Sequence, residues 1–389
     1  MLYPQTTAAT LLNMPLNRRQ FLKTFAVSAV GSGLISCTHK KFLNVDEDIF
    51  LSGGSYLDGE KTQHALIVIN MTQQEKRVID IAFLAHGIYI DPRNKYRVFC
   101  FEKNGHNACE IDLQTKAVVR QLQADNNQLF SGHASFSKDG KTLYCVETNK
   151  DNRQGSISIR NTETFVSTHQ LPTLGLEPHD CQLKDNVLTV SNTGSSGAGF
   201  HTPSLVSIDL TTEKLIERIR LDDQQLNCGH FEITDNNDIV IASAPINTDD
   251  KTALGGISFR QENKDTITMS QPDVVIQRMT GEALSIAIDN KNQIAAISHP
   301  EANLLTFWSM KDKKIIKAFG FEKPRGISQT LDKKNFVISY SNKSAMVKID
   351  MQDLTPQVDS IIQPTLASGE HLLNWSVSLR DVMPKRLYN

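Results

Sequence analysis

The sequence predicts an all-β chain folded as a seven-bladed β-propeller, and three observations carry that prediction. A phrase of four short strands recurs, with starts at His86, His133, His179, His230, Leu284 and Gly326, spaced roughly 40–55 residues apart as propeller blades are. Three strands are left over at the N-terminus and one at the C-terminus, enough together for a seventh blade. A histidine opens the phrase in blade after blade. A sandwich of many short strands would explain neither the period nor the complementary remainders.

The blade starting at His133 is the clearest. Its first strand, His133-Ala-Ser-Phe-Ser, ends in the turn Lys138-Asp139-Gly140, and strands follow over 142–147, 155–160 and 165–171. These short β-rich runs are separated by Asp, Gly and Asn, the residues that turns require. The phrase from His86 continues over 88–90, 96–102, 108–113 and 117–122, and the phrase from His179 over 187–192, 204–210 and 214–221. For the seventh blade the expected strands are 49–56, 64–70, 77–83 and 371–377. Stitching both ends into one sheet closes the ring and leaves no open edge at the seam.

The first residues read as an address and not as fold. Asn17-Arg18-Arg19-Gln20-Phe21-Leu22-Lys23 resembles a twin-arginine export motif; an apolar stretch follows, and Leu34-Ile35-Ser36-Cys37 resembles a bacterial lipobox. The expected division is a signal peptide over 1–36, a lipidated linker over 37–47, the propeller over 48–380 and a tail over 381–389. An acylated Cys37 would tie the protein to membrane lipid. Thr38, in place of Asp, points to the outer membrane, with the propeller in the periplasm. Beyond this segment no apolar run approaches the roughly 20 residues that span a bilayer.

Composition narrows the function. The 41 Lys and Arg nearly balance 43 Asp and Glu, and no basic stripe is available to neutralise a phosphate backbone, so no nucleic-acid partner is expected. Without Cys37, five cysteines remain, an odd number for an oxidising compartment. Cys100 and Cys109 fall where a hairpin would oppose them, as a disulfide or as two thiols. Cys181 and Cys228 each lie two residues from a phrase-opening histidine, on the same face of an extended chain; inert packing is the commoner role for such thiols. The chain has no phosphate-binding Gly-Lys-Ser/Thr loop, no Cys-x-x-Cys-His haem attachment and no His-Glu-x-x-His pair. The glycine-rich passage 194–199 joins two strands and is expected to be a loop on the channel's top face.

The first strand of each blade lines a propeller's channel, so its opening residue belongs at the mouth. That position reads His371, His86, His133, His179 and His230 in five consecutive blades, then Leu284, then Gly326 beside Arg325. By the same register, second strands end in Glu102, Glu147, Asn192, Ser243, His299 and Ser341. Converging imidazoles suit a transition metal such as iron or copper, or a haem iron, with carboxylates as ligands or tautomer-fixing partners. A hydrogen-bonded belt without an ion would use the same residues. Seven inward positions define a wide ring, so two or three imidazoles, not five, are expected to share one ion.

Residues 132–149, Glu177-Pro178-His179-Asp180 and 202–210 resemble an uncharacterised family of exported bacterial propellers, domain of unknown function fifteen-thirteen, over about His86 to Asp350. Gly229 stands where that family tends to carry an arginine, and the passage 194–201 is shorter. The resemblance implies periplasmic iron or haem handling beside imelysin-type iron proteins and di-haem oxidoreductases, with iron favoured. The blades are also similar to those of lactonase-type propellers, which implies acid–base roles for His133, Glu147, His179 and Arg325 in a hydrolase or oxidoreductase. An interaction scaffold with a structural histidine belt is the third reading.

Overall fold

A computed structural model describes residues 41–194, 202–247 and 249–383. Arg18, Arg19 and Cys37 lie outside them, as does nearly all of the glycine-rich passage. The described chain forms seven four-stranded antiparallel sheets, the seven-bladed propeller expected from the period. The blade after the seam runs Ala85–Ile90, Arg97–Glu102, Asn107–Asp112 and Ala117–Gln123 from channel to rim. Inner strands of the next five blades are Gln128–Phe136, Pro178–Lys184, His230–Ile233, Ile286–Asp289 and Ile327–Gln329.

Burial explains why the middle strands read as continuous apolar runs. In Arg97–Glu102, Val98, Phe99, Cys100 and Phe101 are all fully buried, because each blade is covered on both faces by its neighbours. Between two such blades lies one apolar seam, for example Val146 and Ile157 against Leu188, Val190 and Val206. The rim strand Ala117–Gln123 instead alternates exposed and covered positions, the period of a strand with one wet face. Cys100 and Cys109 are cross-strand partners as the hairpin predicts, and both are buried free thiols.

The seventh blade is stitched from both ends. Leu373–Asn374 is innermost, followed by Ile49–Asp58, Lys61–Asn70 and Glu75–Ile81. The expected strand over 371–377 is corrected to these two residues, with Leu373 opposite Leu51 and Asn374 opposite Phe50. Asn374 then turns the chain: its side-chain oxygen accepts from the backbone N–H of Ser376 and Val377 at 3.0 and 3.1 Å, capping the helix Trp375–Val382. Trp375, Leu379 and Met383 recur at helical spacing and bury against Phe42 and Leu43. Residues 42–47 are thereby docked on the same face, where Asn70 donates to the Phe42 carbonyl at 2.8 Å and to Glu47 at 2.6 Å.

Candidate functional site

Local strand irregularities aim the histidines inward. The pairing register shifts between Ala85 and Gly87, between Phe130 and Ala134, and between Pro178 and Cys181. His86, His133 and His179 thus sit in bulges, which re-aim a side chain that the pleat would otherwise direct elsewhere. Two glycines make room. Gly132 has φ +102°, and a Cβ there would fall 2.4 Å from the His86 ring; Gly326 lets the seam approach, since its Cβ would lie 2.7 Å from the His371 carbonyl carbon.

All five imidazoles meet on the channel axis, more tightly than the wide ring predicted. The Nε2 atoms of His86 and His133 are 3.0 Å apart, those of His86 and His371 3.2 Å, and those of His179 and His230 3.0 Å. One ring nitrogen from each of His86, His133, His230 and His371 lies within 4.8 Å of the other three. His179 abuts this group through His230. The expectation that only two or three could share an ion is therefore corrected: the bulges and the reach of the imidazole close the gap.

Carboxylates fix the tautomers. Glu370 lies 3.1 Å from His86 Nδ1 and Asp180 lies 3.0 Å from His133 Nδ1, and the Tyr89 hydroxyl is 3.2 Å from the same His133 nitrogen. A neutral imidazole has one N–H. When Nδ1 donates it to a carboxylate, Nε2 is bare, so His86 and His133 turn two lone pairs toward each other at 3.0 Å. With both Nδ1 atoms protonated the facing lone pairs call for a cation between or beside them, whereas the other His133 tautomer, its Nδ1 accepting from Tyr89, makes the contact an N–H···N hydrogen bond. Metal–nitrogen bonds of about 2.0–2.1 Å set neighbouring ligands about 3 Å apart.

Burial pushes His86 down to about 4 against the opposing pull of Glu370. Burial, followed by the charges of neighbouring histidines and, for His179 and His371, of Lys103, puts His179, His230 and His371 well below the ordinary imidazole value. Burial opposes ionisation of Glu370, yet His86 and Lys103 hold its carboxyl far below the usual range. Buried His230 Nδ1 has no hydrogen-bond partner among the described residues.

The other expected residues divide. Glu102 and Arg325 line a cavity of about 330 Å³ that reaches His86, with His64, Lys103 and Glu370 on its walls. Glu102 accepts from Asn107 at 2.8 Å. Glu147 is placed elsewhere: it is fully buried inside its blade, accepting from Ser158 at 2.5 Å and from Arg160 at 2.7 Å. That ion pair withdraws it from acid–base work at the mouth. His299 also lies in a blade, 3.0 Å from the Thr306 hydroxyl, where burial lowers it to about 3. Glu370, Asp180 and Tyr89 were not singled out from the sequence; the signal for the two carboxylates was adjacency, since each is next in sequence to a ring histidine.

Comparisons place this geometry among known folds. The structure is similar to Kuenenia stuttgartiensis hydrazine synthase, with a TM-score of 0.61 at 12% identity over 82% of this chain and 99% of that one. It is similar to the dihydro-heme d1 dehydrogenase NirN in complex with DHE, with a TM-score of 0.56 at 13% identity over 85% and 76%. A hypothetical selenium-binding protein from Sulfolobus tokodaii gives a TM-score of 0.56 at 11% identity over 85% and 91%. At such identities the likeness is one of fold. No curated protein matches the sequence. Residues 79–373 match the family described as "Protein of unknown function (DUF1513)", and the chain belongs to that family.

Proposed function

We propose that this propeller binds a single first-row transition-metal ion on its axis, with His86, His133, His230 and His371 as ligands and His179 alongside. The observation that carries this reading is the cluster of four ring nitrogens, one each from His86, His133, His230 and His371, within 4.8 Å of one another, with carboxylates behind His86 and His133. An imidazole donor set suits zinc, copper, nickel and iron, and the sequence resemblance ranks iron first, ahead of copper. A haem is less well accommodated, because nitrogens 3.0 Å apart leave no space for a porphyrin between two axial ligands. In the same reading the protein is an outer-membrane lipoprotein anchored through Cys37, facing the periplasm and serving imelysin-type or di-haem partners.

The test is elemental analysis of protein purified without a metal-affinity tag and after incubation with Fe(II), Cu(II) and Zn(II). The expected result is about one ion per chain, with affinity falling at least a hundredfold in His133→Ala. A wild-type protein that holds none of these ions after incubation would falsify the proposal.

A further inference from the structure

The histidine layer divides the channel into two compartments of different electrostatic character. On one side lies the cavity of about 330 Å³ whose walls carry Lys103 and Arg325. On the other, His133, His230 and His371 face a cavity of about 240 Å³ that also touches Asp180 and Glu232. A third cavity, about 260 Å³, continues away from the histidines; Glu232, Ile286, Ile327, Leu372 and Leu373 border both. This third cavity reaches exposed Asn290 and half-buried Ser378 of the C-terminal helix. The channel therefore runs from the helix-bearing face to the histidines, with Glu232 at its waist.

We infer that a divalent cation reaches and leaves the histidine cluster from the helix-bearing face, passing Glu232 as a transient oxygen ligand. This route rests on the metal-binding reading above. Among the described residues no Lys or Arg lines either compartment of this passage, and its polar lining includes Glu232, Asp180, Gln182, Ser285, Ser328 and Gln329. Carboxylate and carbonyl oxygens are the donors that accept a partly hydrated divalent ion in transit. The opposite mouth carries Lys103 and Arg325 beside the carboxylates Glu102 and Glu370, so its cations offset the attraction it offers the same ion. Arg325 lines it with no ion pair among the described residues, and Lys103 stands 2.8 Å from Glu370. A like charge in a confined low-dielectric passage raises the barrier to a cation, whereas a carboxylate lowers it. His86 belongs to the Lys103 side and the other three ligands to the Glu232 side, so an arriving ion meets three imidazoles at once.

Stopped-flow loading of the full chain with Co(II), read by the visible absorption of the bound ion, tests the route. Glu232→Gln and Ser328→Trp should slow loading tenfold or more and slow removal by a chelator equally. Both should leave the final stoichiometry unchanged, and Arg325→Ala should load at the wild-type rate. A wild type that loads while both passage variants match its rate overturns the route alone, and so does a marked acceleration in Arg325→Ala. A wild type that takes up no cobalt, iron, copper or zinc removes the metal reading itself. Should Ser328→Trp fail to fold, Glu232→Gln, which keeps shape and removes the carboxyl oxygen that ionises as a cation arrives, decides the matter.

Discussion

Glu370 shows how one carboxylate can govern a cluster it does not enter. It takes the His86 Nδ1 proton at 3.1 Å and is itself held by Lys103 at 2.8 Å. The imidazole is thereby fixed with its lone pair toward the axis. Outer partners of this kind are worth about 10–100-fold in metal affinity. Glu370→Gln should therefore weaken binding by that factor in a chelator competition and, because Lys103 and His86 hold the carboxylate ionised, also lower the unfolding temperature of the metal-free protein. An unaltered affinity would show that the Glu370 contact does not orient His86. The carboxylates were hard to read in advance because adjacency along a strand normally sends neighbours to opposite faces. Only the bulge at Pro178–Cys181 lets His179 and Asp180 serve the same centre.

At the scale of the element, the C-terminal helix is where pattern and structure part. Residues 371–377 alternate apolar and polar well enough to be read as a strand, but the decisive chemistry is the cap on Asn374 and the helical spacing of Trp375, Leu379 and Met383. Trp375 is fully buried, and its indole N–H donates to the Lys95 carbonyl at 2.7 Å. Trp375→Ala should cost about 3–5 kcal/mol in denaturant unfolding, and a loss below about 1 kcal/mol would mean that the helix does not secure the seam. Glu147 and His299 illustrate the same difficulty. Their strands were placed correctly, yet pairing register alone could not tell an axial side chain from one turned into the blade-to-blade seam. Arg160 and Thr306 claimed them there.

For the whole molecule, the blade count was legible because each blade repeats one hydrophobic phrase, and the phrase-opening histidines were legible because the period sets them on one axis. How closely they approach was not, since it depends on bulges and on glycines such as Gly132. Several buried histidines share a thermodynamic consequence. His299 is lowered to about 3 and His86 to about 4, both by burial. The unfolded chain therefore binds more protons than the folded one from pH 6.5 down to those values, and stability is lost as pH falls through that window. Buried Glu232, raised to about 8 by burial and the nearby Asp180, acts oppositely, losing stability as pH rises from the ordinary carboxyl value toward 8. His299→Asn, remote from the cluster, should flatten the acid-side decline by up to about 1.4 kcal/mol per pH unit. Equal slopes in thermal melts of the two proteins between pH 6.5 and 4 would refute the assignment.

The seam has a consequence for when the centre can exist. His371 lies just before the strand that closes the seventh blade, yet its nitrogen sits 3.2 Å from that of His86, 285 positions earlier. A polypeptide cut before residue 371 carries the other imidazoles but lacks the one supplied beside the seam. Assembly of the full set of imidazoles thus requires that the circle has shut.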